Sequence, residues 1–473
     1  MISSRSLSIA AAVGFAIAGS QAMALDLATT NTAIAAGKTL VVAGASAQRD
    51  AFLQLLTQDL CTAGSVDVYR ATPTGGQDFR AYSCHTVSSG APATALQAAA
   101  NQDIVVYYRS EGGSAWGPYS IAQRNVQGAA FPGVKSLDVS VCAAGTTSVS
   151  YPGAGSLPTH DCALGATYRL SDDANGSGGA VTGLVNRVTQ LGTADVEPKL
   201  FTGANSPALT SSKFSTAPAV VTALKNLTNE TGFGQVFTLL LNSSAAGAAD
   251  EVTNLTSAQA TGIFTGTIVD WCQISQTLAD CASGGSHPIT VVRREPGSGT
   301  QVGAGVKFAN VGCGDSWGFV VDTDPAGTPI ANDSDFVIEV GATGTLETTV
   351  NTVVDSIGIN LYKATVAQAN THQITLDGVA ANRANAANLS YPYAFEATYT
   401  KANSTDLAAG TISAGIANGL IVMSKDVNRV PNNQAVFALP SATNIPGTSG
   451  TPSTAPVALG TRGGASCRPF QPQ

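Results

Sequence analysis

Three parts of the chain repeat one local pattern: a short apolar strand, a tight turn rich in Gly and Ser, and a helix. The pattern occurs at 39–42 followed by Gly44-Ala45-Ser46, at 103–108 followed by Glu111-Gly112-Gly113-Ser114, and at 289–293 followed by Gly297-Ser298-Gly299-Thr300. After the first turn, Phe52, Leu55, Leu56 and Leu60 lie at helical spacing. Repeated units of this kind predict an α/β fold with helix N-termini gathered at the ends of strands.

Length and charge exclude several classes of protein. The chain has 473 residues, of which 44% are hydrophobic and 11% are charged, so we expect one or two folded domains. A net charge of −8 lacks the basic field of a nucleic-acid binder. Beyond the first 24 residues no apolar run approaches the roughly 18 to 20 residues of a spanning helix. We therefore expect neither nucleic-acid binding nor membrane insertion.

The first 24 residues have the features of a cleaved signal peptide. One Arg lies within 1–6, a run of Ala, Ile, Val, Phe and Gly follows at 7–19, and Ala22-Met23-Ala24 offers small residues to a signal peptidase. We therefore expect the mature protein in the periplasm or outside the cell.

The remaining chain contains eight cysteines, and in an exported protein disulfides are the default. Sequence proximity favours Cys61–Cys84, Cys142–Cys162 and Cys272–Cys281, which leaves Cys313 for Cys467. Many other pairings remain open at this point. Zinc is the competing interpretation, but there is no Cys-x2-Cys pair and the four histidines are scattered singly. We expect no metal and no cofactor.

The segment 289–300, Ile-Thr-Val-Val-Arg-Arg-Glu-Pro-Gly-Ser-Gly-Thr, has the elements of an oxyanion site. A strand delivers Arg294, two glycines allow a close turn, and a helix opens near Thr300. Backbone N–H groups of the first helical turn, the hydroxyls of Ser298 and Thr300, and the helix dipole then favour an anion. Arg294 adds a planar pair of donors. The lysine of a Walker loop is absent.

Several segments, taken in order, resemble the phosphate-binding-protein branch of the type II periplasmic binding proteins, the extracytoplasmic component of phosphate ABC transporters. They are the Phe-Thr-Gly-Thr-Ile-Val-Asp-Trp run ending at Trp271, the Arg294 turn, the Ser-Ile-Gly-Ile-Asn strand at 356–360, and the Tyr-Pro-Tyr segment at 391–393. The resemblance covers most of residues 39–430. It implies a two-lobed α/β protein that binds phosphate or a related oxyanion between its lobes and catalyses no reaction, with an ABC permease as partner.

Carried over by position, the resemblance implies ligand contacts from both lobes. The second lobe would contribute Arg294, Ser298, Gly299 and Thr300; the first would contribute Ala45, Ser46, Ser114 and Asp195. Where the family has an acidic residue two positions after the arginine, this chain has Pro296, and Ala194 replaces the serine before Asp195. The stretch between Ser46 and Asp195 is also longer than in the family and carries four cysteines.

The expected organisation has five parts. They are a signal peptide at 1–24, a first lobe with a Cys-rich insertion at 25–235, a second lobe at 236–389, a return to the first lobe at 390–435, and a tail rich in Pro, Ser and Thr at 436–473. We expect the part of the chain from 115 to 181 to be a surface elaboration pinned by Cys142 and Cys162. We expect the tail to be extended or disordered except where Cys467 is tied down.

Two alternatives belong to other functional classes. An exported phosphoester hydrolase would need catalytic residues, but the chain has no Gly-x-Ser-x-Gly nucleophile turn and no histidine with acidic neighbours at suggestive spacing. A secreted surface, matrix or adhesive protein on the same fold, with the Cys-rich insertion and the tail as its working parts, is the other alternative, because a fold does not fix a function. The long insertion, the missing acidic residue and the low charge favour it.

Overall fold

The computed structural model describes residues 24–72, 78–165, 182–206, 217–278, 280–313, 332–333, 337–366, 368–430, 435–449 and 455–472. The expected signal peptide therefore lies outside the described residues, except for Ala24. In the described part of the chain, none of the helices has the length and apolar character needed to span a membrane.

The first lobe is a mixed sheet covered by helices. Its elements up to the lobe boundary are α1 (Leu27–Ala35), β1 (Thr39–Gly44), α2 (Arg49–Leu55), β2 (Asp67–Thr72), β3 (Phe79–His85), α3 (Gly90–Leu96), β4 (Asp103–Arg109), α4 (Trp116–Gln127), β5 (Val134–Leu137), β6 (Thr147–Tyr151), β7 (Gly155–Ala163), β8 (Leu184–Arg187), β9 (Leu191–Ala194) and α5 (Pro218–Lys225). The parallel strands β4, β1 and β9 form its centre, and β3, β2, β7 and β6 extend it from β4.

The second lobe has a smaller sheet in the order β10, β15, β12, β14, β13. Its elements are β10 (Glu230–Asn242), β11 (Asn254–Leu255), α6 (Ser257–Phe264), β12 (Thr290–Arg294), α7 (Gly299–Ala309), β13 (Asn332–Asp333), β14 (Val337–Val340), α8 (Thr343–Thr352), β15 (Ser356–Leu361), β16 (Thr371–Gln373), β17 (Thr375–Leu376) and α9 (Arg383–Ala387). Because β12 pairs in parallel with β14 and β15, the C-terminal ends of these strands lie together. The turn before α7 therefore lies at the carboxyl end of this sheet.

The long strand β10 joins the two lobes. Its first half pairs with β18 up to Val236, and its second half pairs with β15 from Phe237 onward. The chain returns to the first lobe in β18 (Ala394–Lys401) and α10 (Ile412–Lys425), and continues to β19 (Val436–Phe437), β20 (Gly460–Thr461) and β21 (Gln471–Pro472). The two-lobed α/β architecture expected from the sequence is confirmed. The division near residue 236 stays our proposal for the boundary between the lobes.

All four disulfides favoured by sequence proximity are formed: Cys61–Cys84, Cys142–Cys162, Cys272–Cys281 and Cys313–Cys467. The first two bonds lie in the first lobe and the third lies in the second. The fourth joins the end of α7 to the tail, 154 residues away along the chain.

The surface elaboration begins later than the sequence suggested. Residues 116–127 form α4, and Trp116, Tyr119 and Ala122 on this helix are buried in the core. Gly117 allows the helix to approach the backbone of β1 and β9, since a methyl group there would lie 2.6 Å from the carbonyl oxygen of Ala43. After α4, β5 leaves the central sheet and pairs with β8, whereas β6 and β7 extend the central sheet beyond β2.

The tail makes more contacts than an extended segment held only at Cys467. Val436 and Phe437 pair with β10, and Ala438, Ala455 and Val457 are buried against the first lobe. It is extended, as expected, but it is packed through its apolar side chains.

Candidate functional site

The turn before α7 places a helix N-terminus at the boundary between the lobes. Ser298 is the N-terminal cap and Gly299 the first helical residue, and the Ser298 side chain makes no capping hydrogen bond. Ser298, Gly299 and Thr300 are buried. The first N–H groups of a helix have no acceptor within the helix, so this turn presents backbone donors and two hydroxyls in a buried position.

Arg294 lies at the end of β12, beside this turn, with only 3% of its surface exposed. Its Nη1 donates to Thr343 Oγ1 at 3.0 Å and its Nη2 to the carbonyl of Gly341 at 2.9 Å. Its Nε is buried and has no hydrogen-bond partner within the described residues. Burial lowers the pKa of Arg294, against the opposing effect of Glu295. The guanidinium is thus fixed in place by both Nη atoms, while its Nε–H has no partner among the described residues.

The first lobe contributes Ser114 and Asp195, and both are buried. Ser114 Oγ donates to Asp195 Oδ2 at 3.1 Å, and Gln235 Nε2 on β10 donates to Asp195 Oδ1 at 3.1 Å. Burial raises the pKa of Asp195, while the hydrogen bonds from Gln235 and Ser114 oppose the rise. The Gln48 side chain also opposes the rise in the pKa of Asp195. The carboxylate is therefore oriented through both of its oxygens.

The two turns touch each other across the lobe boundary. A methyl group on Gly299 would overlap the hydroxyl of Ser114 and lie 2.5 Å from Asp195 Oδ2. A methyl group on Gly113 would lie 2.9 Å from the Cα of Ser298. Glycine is therefore required at both positions for the lobes to approach this closely. In this conformation the two turns are in direct contact.

The turn before α2 lies against the end of β9, next to Asp195, and part of its donors is already engaged. The Ala45 amide donates to the carbonyl oxygen of Thr193 at 3.0 Å, and the Ala45 carbonyl accepts from the Tyr108 hydroxyl at 2.7 Å. Ser46 begins a short 3-10 turn and is partly exposed. In this form the backbone groups of Ala45 are engaged within the first lobe, and Ser46 is partly exposed.

A second carboxyl group, that of Glu295, follows Arg294 directly in the chain. Burial raises the pKa of Glu295 to about 7, against the lowering effect of Arg294. Glu339 from its own lobe, and Glu111 and Asp78 from the first lobe, add to the rise. Its Oε1 is buried with no hydrogen-bond partner among the described groups. Burial therefore favours the neutral, protonated form of this glutamate in the folded protein.

The structure brings together six of the eight candidate residues: Ser114, Asp195, Arg294, Ser298, Gly299 and Thr300. It adds Gln48 and Gln235, which the sequence analysis missed. Both are fully buried, and each leaves its amide oxygen without a hydrogen-bond partner in the described part of the chain. Neither has a local sequence signal, because each reaches Asp195 or Ala194 over a long separation along the chain.

The candidate site has the chemistry of anion binding. Its donors are a helix N-terminus, hydroxyls and one arginine, and its acceptor is a buried carboxyl group. Across the described ranges, no group of three or more His, Cys, Asp or Glu side chains is arranged to hold a metal ion.

No family model matches the chain, and no curated protein matches it. Similar solved structures include an ABC-type phosphate transport receptor from Vibrio cholerae, 20% identical, covering 50% of this chain and 78% of that one, with a TM-score of 0.31. A putative phosphate ABC transporter substrate-binding protein from Clostridium perfringens, with bound phosphate, is 16% identical over 69% of this chain and 97% of that one, with a TM-score of 0.34. A high-affinity periplasmic phosphate-binding protein is 14% identical, covering 81% of this chain and 89% of that one, with a TM-score of 0.35.

The solved structures named here are phosphate-binding proteins, as the sequence resemblance implies. Their identities and TM-scores are low, so this likeness carries no weight in what is proposed below. The proposed ligand and transport role depend on the residues of this chain.

Proposed function

We propose that this chain is an exported solute-binding protein that captures phosphate or a related oxyanion between its two lobes, for delivery to an ABC permease. The observation that carries the proposal is the contact of the α7 N-terminus with Ser114 and Asp195, beside Arg294. Donors from one lobe and a carboxyl group from the other meet in a buried position. The protein performs no chemistry on its ligand.

Lobe closure supplies the affinity. Hydrogen bonds to an oxyanion are strengthened when water is excluded, and the donors belong to different lobes, so the ligand favours the closed form. Asp195 provides an acceptor for an anion that carries a proton, as hydrogen phosphate does and sulfate does not. The overall charge of −8 does not oppose binding, because the helix N-terminus and Arg294 set the local field.

Isothermal titration calorimetry of the mature protein against phosphate, arsenate, sulfate and a phosphonate tests the proposal. We expect one site per chain, with phosphate and arsenate bound most tightly. Absence of heat with all four anions, from protein shown by circular dichroism to be folded, would exclude the proposed function.

A further inference from the structure

The C-terminal segment 455–472, here called the strap, is held on the first lobe by a buried carboxylate. Glu396 in β18 accepts from the Thr461 hydroxyl at 2.6 Å, from the Arg462 amide at 2.5 Å and from the Gly464 amide at 2.7 Å. Glu396 is 3% exposed. Three donors from one turn of the strap thus converge on a single carboxylate of the first lobe.

A second carboxylate and the ring of Phe395 complete this attachment, and Phe470 of the strap itself covers the other side of Arg462. Glu197, which follows β9, accepts from the Ser466 amide at 2.9 Å. The Arg462 guanidinium lies 4.9 Å from the ring centroid of Phe395 and 4.5 Å from that of Phe470. Burial lowers the pKa of Arg462 to about 10, while Glu396 and Glu197 oppose this effect. The attachment is buried as well as hydrogen-bonded, and a hydrogen bond inside a protein is electrostatically stronger than the same bond in water.

The far side of the strap is bonded to the second lobe. Cys467, one residue after Ser466, forms a disulfide with Cys313, which lies four residues beyond the last residue of α7. The same helix carries the candidate anion donors at its other end. The turn after α7 also lies beside the first lobe, since a methyl group on Gly312 would lie 3.0 Å from a methyl carbon of Leu200.

We propose that the strap is a covalent tether between the lobes: docked on the first lobe at Glu396 and Glu197 and bonded to the second at Cys313, it limits how far the cleft opens. A ligand-free protein with the tether spends more time in the closed form. Its apparent affinity is higher by the same factor, because affinity scales with the fraction of binding-competent protein. The effect on affinity rests on the proposed function, whereas the effect on opening does not.

The exposure of its cysteines indicates that the Cys313–Cys467 disulfide can be reduced while the other three stay intact. Both Cys313 and Cys467 are partly exposed, whereas each of the other three disulfides has at least one fully buried cysteine. Access governs the rate of thiol–disulfide exchange, so a mild dithiol reaches this bond first. Reduction yields two thiols while the dithiol is oxidised to a cyclic disulfide.

The test uses two double variants. The tether variant combines Cys313→Ser and Cys467→Ser. The control combines Cys272→Ser and Cys281→Ser, which removes a disulfide within the second lobe. Small-angle X-ray scattering measures opening without ligand, and calorimetry measures phosphate affinity. We expect the tether variant to have a larger radius of gyration when ligand-free and a phosphate affinity on the order of 10-fold lower. We expect the control to match the wild type in both.

Each outcome decides between the possibilities. Equal radii of gyration for the tether variant and the control would overturn the tether. A larger radius with no phosphate binding by any protein, wild type included, would support the tether and exclude the proposed function. If the double variant does not fold, brief treatment of the wild type with dithiothreitol, with peptide mapping to show which bond opened, gives the same comparison. Glu396→Gln, which weakens the attachment with the disulfide intact, is then expected to enlarge the radius as well.

Discussion

The backbone amide of Ala115 in the first lobe donates a hydrogen bond to the carbonyl oxygen of Gly297 in the second, with an N to O distance of 2.9 Å. This bond joins the turn that carries Ser114 directly to the turn that carries Ser298. Contact between backbones leaves no room for side chains, so the residues at these turns control whether the lobes can meet. The first prediction follows from this geometry.

Gly299→Ala is expected to lower phosphate affinity by about 10-fold to 100-fold, because its methyl group overlaps Ser114 and Asp195 and so prevents closure. Calorimetry on the purified variant measures the loss. The matched control is Gly344→Ala, near the start of α8, where a methyl group meets no atom within 4 Å. Equal affinity of the two variants would show that closure does not need residue 299.

Arg294→Ala is expected to weaken oxyanion binding by about 30-fold to 1000-fold, since it removes a charge-assisted donor from a buried site. Arg294→Lys should retain only part of the wild-type affinity, because an ammonium group lacks the planar pair of donors of a guanidinium. Arg293→Ala is the control: it removes the neighbouring buried arginine, which pairs with Glu339 at 2.9 Å. Both alanine variants should lose stability, but only the first should lose affinity. The same affinity loss in both would contradict the site.

Asp195→Asn is expected to reduce the preference for phosphate over sulfate by about 5-fold to 100-fold. The carboxylate accepts the proton of hydrogen phosphate and opposes an unprotonated oxygen, and an amide can relieve that opposition. Since Pro296 supplies no acidic group, we also expect the wild type to discriminate less sharply than proteins with a carboxylate there. Competition binding from pH 5 to 9 measures the preference. A preference of several thousandfold that survives the substitution would place the proton acceptor elsewhere.

Glu295→Gln is expected to flatten the dependence of stability on pH. The pKa of Glu295 rises from an ordinary value of 4.5 to about 7 on folding, so between these values the folded protein holds more protons than the unfolded chain. The free energy of unfolding therefore decreases as pH rises from 5 to 7, by up to about 3 kcal/mol. Urea unfolding at several pH values measures this decrease. Parallel profiles for the wild type and the variant would show that Glu295 is not responsible.

The local pattern of the chain determined much of the architecture. Alternating strand, Gly/Ser turn and helix signals predicted the α/β fold, and the glycines at 297 and 299 predicted the turn that opens α7. Spacing along the chain also favoured the disulfide pairs, because cysteines close in sequence meet at low entropic cost. These features depend on neighbours within a few tens of residues. The exception is Cys313–Cys467: this pair was predicted only because these two cysteines remained after the other six had been paired.

Tertiary structure decided the partners of the buried polar groups. Gln235 reaches Asp195 across 40 residues, and Ser466 reaches Glu197 across 269. A glutamine or glutamate carries no local signal for such a partner, because the hydrogen bond exists only after strands distant in sequence have packed together and excluded water. The burial of α4 follows from the same cause: the segment after the Gly/Ser turn resembles a loop in the sequence, and only the folded chain packs Gly117 against β1 and β9 and the Arg109 guanidinium over Trp116.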